Sequence, residues 1–243
     1  MKIGGFQKFS MLDYPGQLAA IVFTQGCNFR CPYCHNPQLV DPSRYTRPLR
    51  NSRVFNFLRK RAGKLGAVVF SGGEPTCQPD LVEAVRLLRS LGYLIKIDTN
   101  GSLPDVIKTL AENKLVDYWA MDLKAPPDLY QVLTRTKIPL DNILQSMDIL
   151  RSSGRNFEFR TTFFEMLFDW SDIARIQSLL KPGDKYILQE CRYTGTLEDV
   201  RNATAKSLDL ETAPFLHLQD NPACQSLLSW GNQNQVKISI RSL

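Results

Sequence analysis

Cys27, Cys31 and Cys34 place three of the chain's six cysteines within eight positions, in the stretch GCNFRCPYCHNP, and His35, one of only two histidines, follows directly. Thiolates are soft ligands suited to zinc or to iron-sulfur clusters, and a tight loop can aim three sulfurs at one point. The spacing C-x3-C-x2-C leaves two readings open. A structural zinc site would recruit a fourth ligand, with His35, Cys77, Cys191 or Cys224 as candidates. A three-cysteine four-iron cluster would instead keep one iron free for a cofactor or substrate.

The elements that must position this loop are legible in the hydrophobic pattern. Short β-branched runs predict strands at LAAIVFT (18–24), GAVVF (66–70), YLIKID (93–98), VDYWAMDL (116–123), NFEFRTTFF (156–164) and KYILQE (185–190). Between them SRVFNFLRKRAG, PDLVEAVRLLRSLG, LPDVIKTLAENK, PLDNILQSMDILRSSG and SDIARIQSLLKPG carry apolar residues at helical spacing, and several end in glycine. Strict alternation implies right-handed βαβ units around a parallel sheet, either an open doubly wound sheet or a complete or partial barrel. PFLHL, a PACQSLLSW helix and a VKISIR strand extend the pattern at the C-terminal end.

Active sites in such folds gather at the carboxyl ends of the strands. The cysteine loop follows the first predicted strand, SGGEP the second and DTNG ends the third; MDLK ends the fourth, Arg160 lies in the fifth and Gln189 at the end of the sixth. Asp122 and Lys124 alternate with apolar Met121 and Leu123, so their side chains share one side of the strand. Arg160, inside a β-branched strand, is costly to bury without an anion.

Composition sets the outer bounds. The 243 residues, 43% hydrophobic and 22% charged, suit one soluble domain, and no segment approaches the roughly 20 apolar residues of a membrane span. The N-terminal MKIGGFQKF lacks the apolar stretch of a secretory signal, so the reducing cytoplasm is the expected compartment and metal ligation the expected use of the thiols. The net charge of +6 is mildly basic. It gathers at Arg44, Arg47, Arg50, Arg53, Arg59, Lys60, Arg61 and Lys64, a run without an interleaved aromatic ladder that reads as a solvated or protein-docking face in preference to a nucleic-acid footprint.

The cysteine spacing with Tyr33 before the last cysteine, followed by GGEP and DTNG, resembles the radical S-adenosylmethionine superfamily. The resemblance implies a partial (β/α)6-type barrel spanning residues 1–243 as a single domain, with its core at 16–190 and a C-terminal extension at 191–243. It implies a four-iron four-sulfur cluster on Cys27, Cys31 and Cys34, S-adenosylmethionine at the open iron, and reductive cleavage of that cofactor to a deoxyadenosyl radical. Tyr33, Gly72, Gly73, Glu74, Asp98, Thr99, Asn100, Asp122, Arg160 and Gln189 are then expected around the cofactor. Gly72 and Gly73 would allow close backbone approach, and Glu74 would accept a hydrogen bond from the cofactor's ammonium. Asp98, Thr99 and Asp122 would help form a monovalent-cation site, Arg160 would meet the cofactor carboxylate, and Lys124 would stand near the substrate. A rim ion pair is the plain alternative for Lys124, helix capping for DTNG, and an ordinary turn for GGEP. Cys77, Cys191, Cys224 and His217 match no motif of the family.

GFQKFSMLDYPGQLAAIVFTQGCNFRCPYCHNPQLV is more specifically similar to the activating proteins of anaerobic ribonucleoside-triphosphate reductase. The implied reaction removes a hydrogen atom from a backbone glycine of a partner glycyl-radical enzyme, with flavodoxin or ferredoxin as electron donor. A glycine loop could enter an open partial barrel from the side, whereas a closed one would favour a small substrate. Two alternatives stand beside this reading: a radical enzyme acting on a small molecule, peptide or RNA, and a zinc-stabilised nucleic-acid-binding module.

Overall fold

A computed structural model describes residues 1–164, 167, 169–191, 196–197, 218 and 221–241. Its chain forms two compact units. The first comprises residues 1–29, 38–121 and 138–157, and the second comprises residues 30–37, 122–137 and the described residues from 158 onward.

In the first unit the apolar runs become β1 (Ile3–Ser10), β2 (Ala19–Thr24), β3 (Ala67–Gly72), β4 (Leu94–Thr99) and β5 (Tyr118–Asp122, its last residue in the second unit). β2 to β5 lie parallel and in chain order, with Ala19 beside Ala67, Ala67 beside Leu94 and Ile97 beside Trp119. Their sequences read as near-continuous apolar stretches because both faces of a parallel sheet are covered; Val22, Val69, Ile95, Ile97 and Trp119 are fully buried. The helices α1 (Asn51–Arg61), α2 (Leu81–Ser90), α3 (Pro104–Glu112) and α4 (Leu140–Ser152) bury one stripe each, including Leu58, Leu88, Leu110 and Met147. The expected glycine stop follows α1 and α2, where Gly63 and Gly92 take φ of 75° and 87°.

In the second unit β6 (Asn156–Phe163, beginning in the first unit), β7 (Lys185–Glu190) and β8 (Lys237–Arg241) are also parallel, with Phe159 beside Tyr186 and Tyr186 beside Ile238. Beyond β5 the chain stays tied to β6: the Leu123 N–H donates to the Arg160 carbonyl at 2.7 Å, and the Thr161 hydroxyl donates to the Leu123 carbonyl at 2.9 Å. α5 (Trp170–Gln177) starts with a capping box made by Asp169 and Asp172, and α6 (Pro222–Gln233) with an Asn221 cap.

The α/β class and the seven predicted strands stand as expected, and among the described residues neither run of strands closes on itself, as in a partial barrel. One strand had no adequate signal. β1 pairs antiparallel with β2, yet its sequence IGGFQKFS holds two glycines and no sustained alternation. Tertiary packing explains one of those glycines: a Cβ on Gly4 would lie 2.4 Å from Leu39 Cδ2. The expected PFLHL segment, apart from a buried Leu218, and His217 lie outside the described residues. No described helix is long and apolar enough to cross a membrane.

Candidate functional site

In the first unit the end of β2, the cysteine loop and the end of β3 are locked to one another by backbone. Gly73 N–H donates to the Thr24 carbonyl at 2.9 Å and Glu74 N–H to the Gly26 carbonyl at 2.8 Å. A Cβ on Gly73 would sit 2.2 Å from that Gly26 oxygen, and one on Gly72, whose φ is 106°, would sit 2.7 Å from Thr24 N. Both glycines are therefore required by the close approach of the chain to itself, a reason that motif reading alone does not supply.

Glu74 is almost fully buried, and its carboxylate organises the ends of two strands. Oε1 accepts from the Thr76 N–H (3.1 Å), the Thr76 hydroxyl (2.6 Å) and the Thr99 hydroxyl (2.7 Å), while Oε2 accepts from the Asn100 N–H at 2.7 Å. Burial raises its pKa above 4.5, opposed by these donors. Asn100 carries the organisation to the cysteine loop. Its amide donates to Asn28 Oδ1 at 2.9 Å and approaches Cys27 Sγ at 3.9 Å, and Phe29 N–H also points to that sulfur at 3.4 Å. Asn28 in turn donates to the Ser102 hydroxyl at 2.8 Å. N–H groups directed at a ligand sulfur favour its thiolate form, so the surroundings of Cys27 fit a cluster ligand. Asn28 and Ser102 escaped motif reading, although Asn28 lies inside the cysteine loop.

Asp98 does not face Thr99's partners. It receives Lys96 Nζ at 2.9 Å; Lys96 is itself buried and lies 5.9 Å from the Tyr118 ring centroid. The alternation of β4 puts Lys96 and Asp98 on one face, a period-two signal present in the sequence.

The second unit holds the other candidates. Cys31 is buried and Cys34 partly so, with the Cys34 N–H closing a turn onto the Cys31 carbonyl at 3.1 Å. Burial pushes the Cys31 thiol up to about 11, against the pull of Lys124, so a bound metal would displace its proton. The buried Tyr33 hydroxyl donates to the Lys124 carbonyl at 2.6 Å. Asp122 faces two cations, Arg160 Nε at 2.9 Å and Lys124 Nζ at 2.8 Å. Burial alone would raise this carboxyl, but the two cations outweigh it and hold it at about 2; burial likewise opposes the Lys124 ammonium, and Asp122 more than restores it. The ion-pair reading of Lys124 is thus realised, with Asp122 itself as its acidic neighbour. Tyr130, which the sequence did not single out, places its hydroxyl 3.4 Å from the Lys124 N–H.

Gln189 accepts from Arg241 at 3.4 Å on β8. His35 Nε2 lies 3.7 Å from the buried Cys191 sulfur. Cys77 in the first unit is raised to about 11 by burial, and Cys224 is buried on α6.

Residues 21–181 match the model of the radical SAM superfamily. A protein of Methanocaldococcus jannaschii described as a glycyl-radical enzyme activating enzyme is 35% identical over 193 residues, covering 77% of this chain and 79% of that protein. The 7-carboxy-7-deazaguanine synthase of Aquifex aeolicus is 38% identical over 88 residues, 36% of this chain and 38% of the synthase. Among solved structures, that of Streptococcus suis SuiB bound to precursor peptide SuiA superposes with a TM-score of 0.64 at 15% identity, over 92% of this chain and 48% of SuiB. This chain spans about half the length of that structure and shares its fold. The family implies a four-iron four-sulfur cluster and S-adenosylmethionine, and the chemistry of an enzyme in place of a zinc-stapled binding module. The matched span takes in the cysteine loop, GGEP, DTNG and the Asp122–Lys124–Arg160 group, and the chain belongs to the radical SAM superfamily.

Proposed function

We propose that the chain is a cytoplasmic activating enzyme that installs a glycyl radical on an anaerobic ribonucleotide reductase or a related glycyl-radical enzyme. The observation that carries this reading is the 35% identity to a protein described as such an activating enzyme, extending over 79% of that protein. The N-terminal FSMLDYPG segment and the CHNP close of the cysteine loop support the reductase-specific form.

In this reading Cys27, Cys31 and Cys34 hold the cluster. When bound, the cluster and S-adenosylmethionine supply one-electron reduction and hydrogen-atom abstraction. The chain's own residues orient and shield that chemistry. Phe29 and Asn100 direct N–H groups at the Cys27 sulfur, and the Gly72–Gly73 backbone fixes the base of the loop. Glu74 acts by holding Thr99 and Asn100 in place. Arg160 and Lys124 keep Asp122 ionised, and Tyr33 holds the Lys124 carbonyl; Lys124 is the residue this reading assigns to the substrate. Gln189 completes the expected cofactor set. Asp98 faces Lys96, and Asp122 faces Arg160 and Lys124, so a monovalent cation at these carboxylates would compete with the chain's own cations. Electron supply comes from a flavodoxin or ferredoxin.

The test is anaerobic reconstitution, reduction with dithionite, and incubation with S-adenosylmethionine and anaerobic ribonucleotide reductase. A glycyl-radical resonance on the reductase, formed in step with 5′-deoxyadenosine, is expected. Cofactor cleavage with no protein radical in a panel of glycyl-radical enzymes would overturn the reading. It would favour a small-molecule substrate, the second reading, which rests on the shorter match to the deazaguanine synthase.

A further inference from the structure

Residues 42–73 contain eight of the chain's 30 basic residues and none of its 24 acidic ones, so the remainder of this +6 chain sums to −2. The charge is concentrated in one segment of the first unit. Arg47, Arg50 and Arg53 are exposed and line one shallow groove with Ser52 and Asn56. Among the described residues no carboxylate pairs with these three arginines, whereas Arg44 is 3.3 Å from Asp41.

Their placement is electrostatically unfavourable. Arg50 is the N-cap of α1 and makes no side-chain cap, and the first turn contains no acidic residue. Guanidinium groups therefore crowd the positive end of a helix dipole, where positive charge is disfavoured. Carboxylates of a partner would relieve that repulsion and pair with the guanidinium groups.

The segment is also anchored at the cysteine loop. Gln25, two residues before Cys27, donates to the Thr46 carbonyl at 2.9 Å; Gly26 donates to Leu39 at 2.7 Å, and Leu49 donates to Ile3 at 2.8 Å. Ile3 is paired with Thr24 at the end of β2. The basic groove thus stands at the strand end from which the cysteine loop emerges. Arg59, by contrast, lies near the C-terminal end of α1 and donates to Asn56 at 3.0 Å.

We propose that the Arg47–Arg50–Arg53 groove at the N-terminal end of α1 is the docking surface for an acidic one-electron carrier protein. The proposal rests on the radical-enzyme reading insofar as it requires a cluster to be reduced. A carrier seated there stands beside the loop that begins at Cys27, and its negative surface is steered by an unneutralised positive one. Nucleic acid would also be attracted by the charge, but the groove's exposed lining offers no aromatic platform for bases.

Stopped-flow reduction of the reconstituted cluster by reduced flavodoxin tests this with the triple variant Arg47→Glu, Arg50→Glu, Arg53→Glu. The second-order rate should fall at least about tenfold at low ionic strength, and the difference should shrink as salt is raised. Reduction by dithionite and affinity for S-adenosylmethionine should match the unaltered chain, which also shows that the variant folds. Flavodoxin reduction within twofold of the unaltered chain would overturn the proposal, as would a loss of transfer-RNA binding in the variant with reduction unchanged. A variant slowed with flavodoxin, in a protein that cleaves the cofactor under dithionite but activates no glycyl-radical enzyme, would retain the docking surface and remove the activase reading alone.

Discussion

Glu74→Gln separates a brace from a cofactor ligand. The wild-type carboxylate accepts four hydrogen bonds through two oxygens, whereas glutamine has one acceptor oxygen. With that oxygen in the Oε1 position, the amide nitrogen opposes the Asn100 N–H; in the reverse orientation it opposes the Thr76 N–H. Either way one buried backbone donor loses its partner, at about 1–3 kcal/mol. Glu74→Ala strips all four donors and should cost more than about 3 kcal/mol, a large share of a typical domain's stability. Part of the glutamine cost is offset because the buried charge is itself unfavourable, as the raised carboxyl pKa shows. The sign with pH follows. A folded pKa above the unfolded value gives stability that is complete at low pH and lost as pH rises through the folded value, so the Gln variant's deficit should narrow toward neutral pH. Urea unfolding of the metal-free chain at pH 4 and pH 8, with calorimetric cofactor titration of the reconstituted protein, reads both effects. A Gln variant as stable as wild type but at least tenfold weaker for S-adenosylmethionine would refute the brace and make Glu74 a direct ligand.

Gly73→Ala puts a methyl 2.2 Å from the Gly26 carbonyl oxygen, so the base of the cysteine loop must shift; iron content after reconstitution should fall severalfold, while the exposed, unobstructed Gly92 should accept Asn with little effect on iron content. Asp122, held at about 2 against an ordinary 3.8, should contribute about 2 kcal/mol above pH 4 and lose it as pH falls toward 2. Acid unfolding of Asp122→Asn should therefore be flatter across that interval, and a curve parallel to wild type would show that Arg160 and Lys124 do not stabilise the ionised carboxylate.

Much of this protein can be read from residue order because the relevant forces are local. The β-branched runs and the helical apolar spacing define seven of eight strands and all the labelled helices, since burying both faces of a parallel sheet demands those patterns. The cysteine spacing with Tyr33, GGEP and DTNG carry the resemblance to the superfamily, and the period of two puts Asp122 with Lys124 and Lys96 with Asp98. Folding alone decides what each polar group touches. Glu74 reads as a ligand for a bound ammonium, yet in the fold its lone pairs face Thr76, Thr99 and Asn100. Arg160 reads as a partner for a cofactor carboxylate, yet it lies on Asp122, 38 residues earlier in the chain. β1 becomes a strand through its pairing with β2, with little propensity of its own. These outcomes share one cause: hydrogen bonds and ion pairs between distant residues depend on a few tenths of an ångström and on which competing partner the fold brings within reach, quantities that composition and periodicity do not encode.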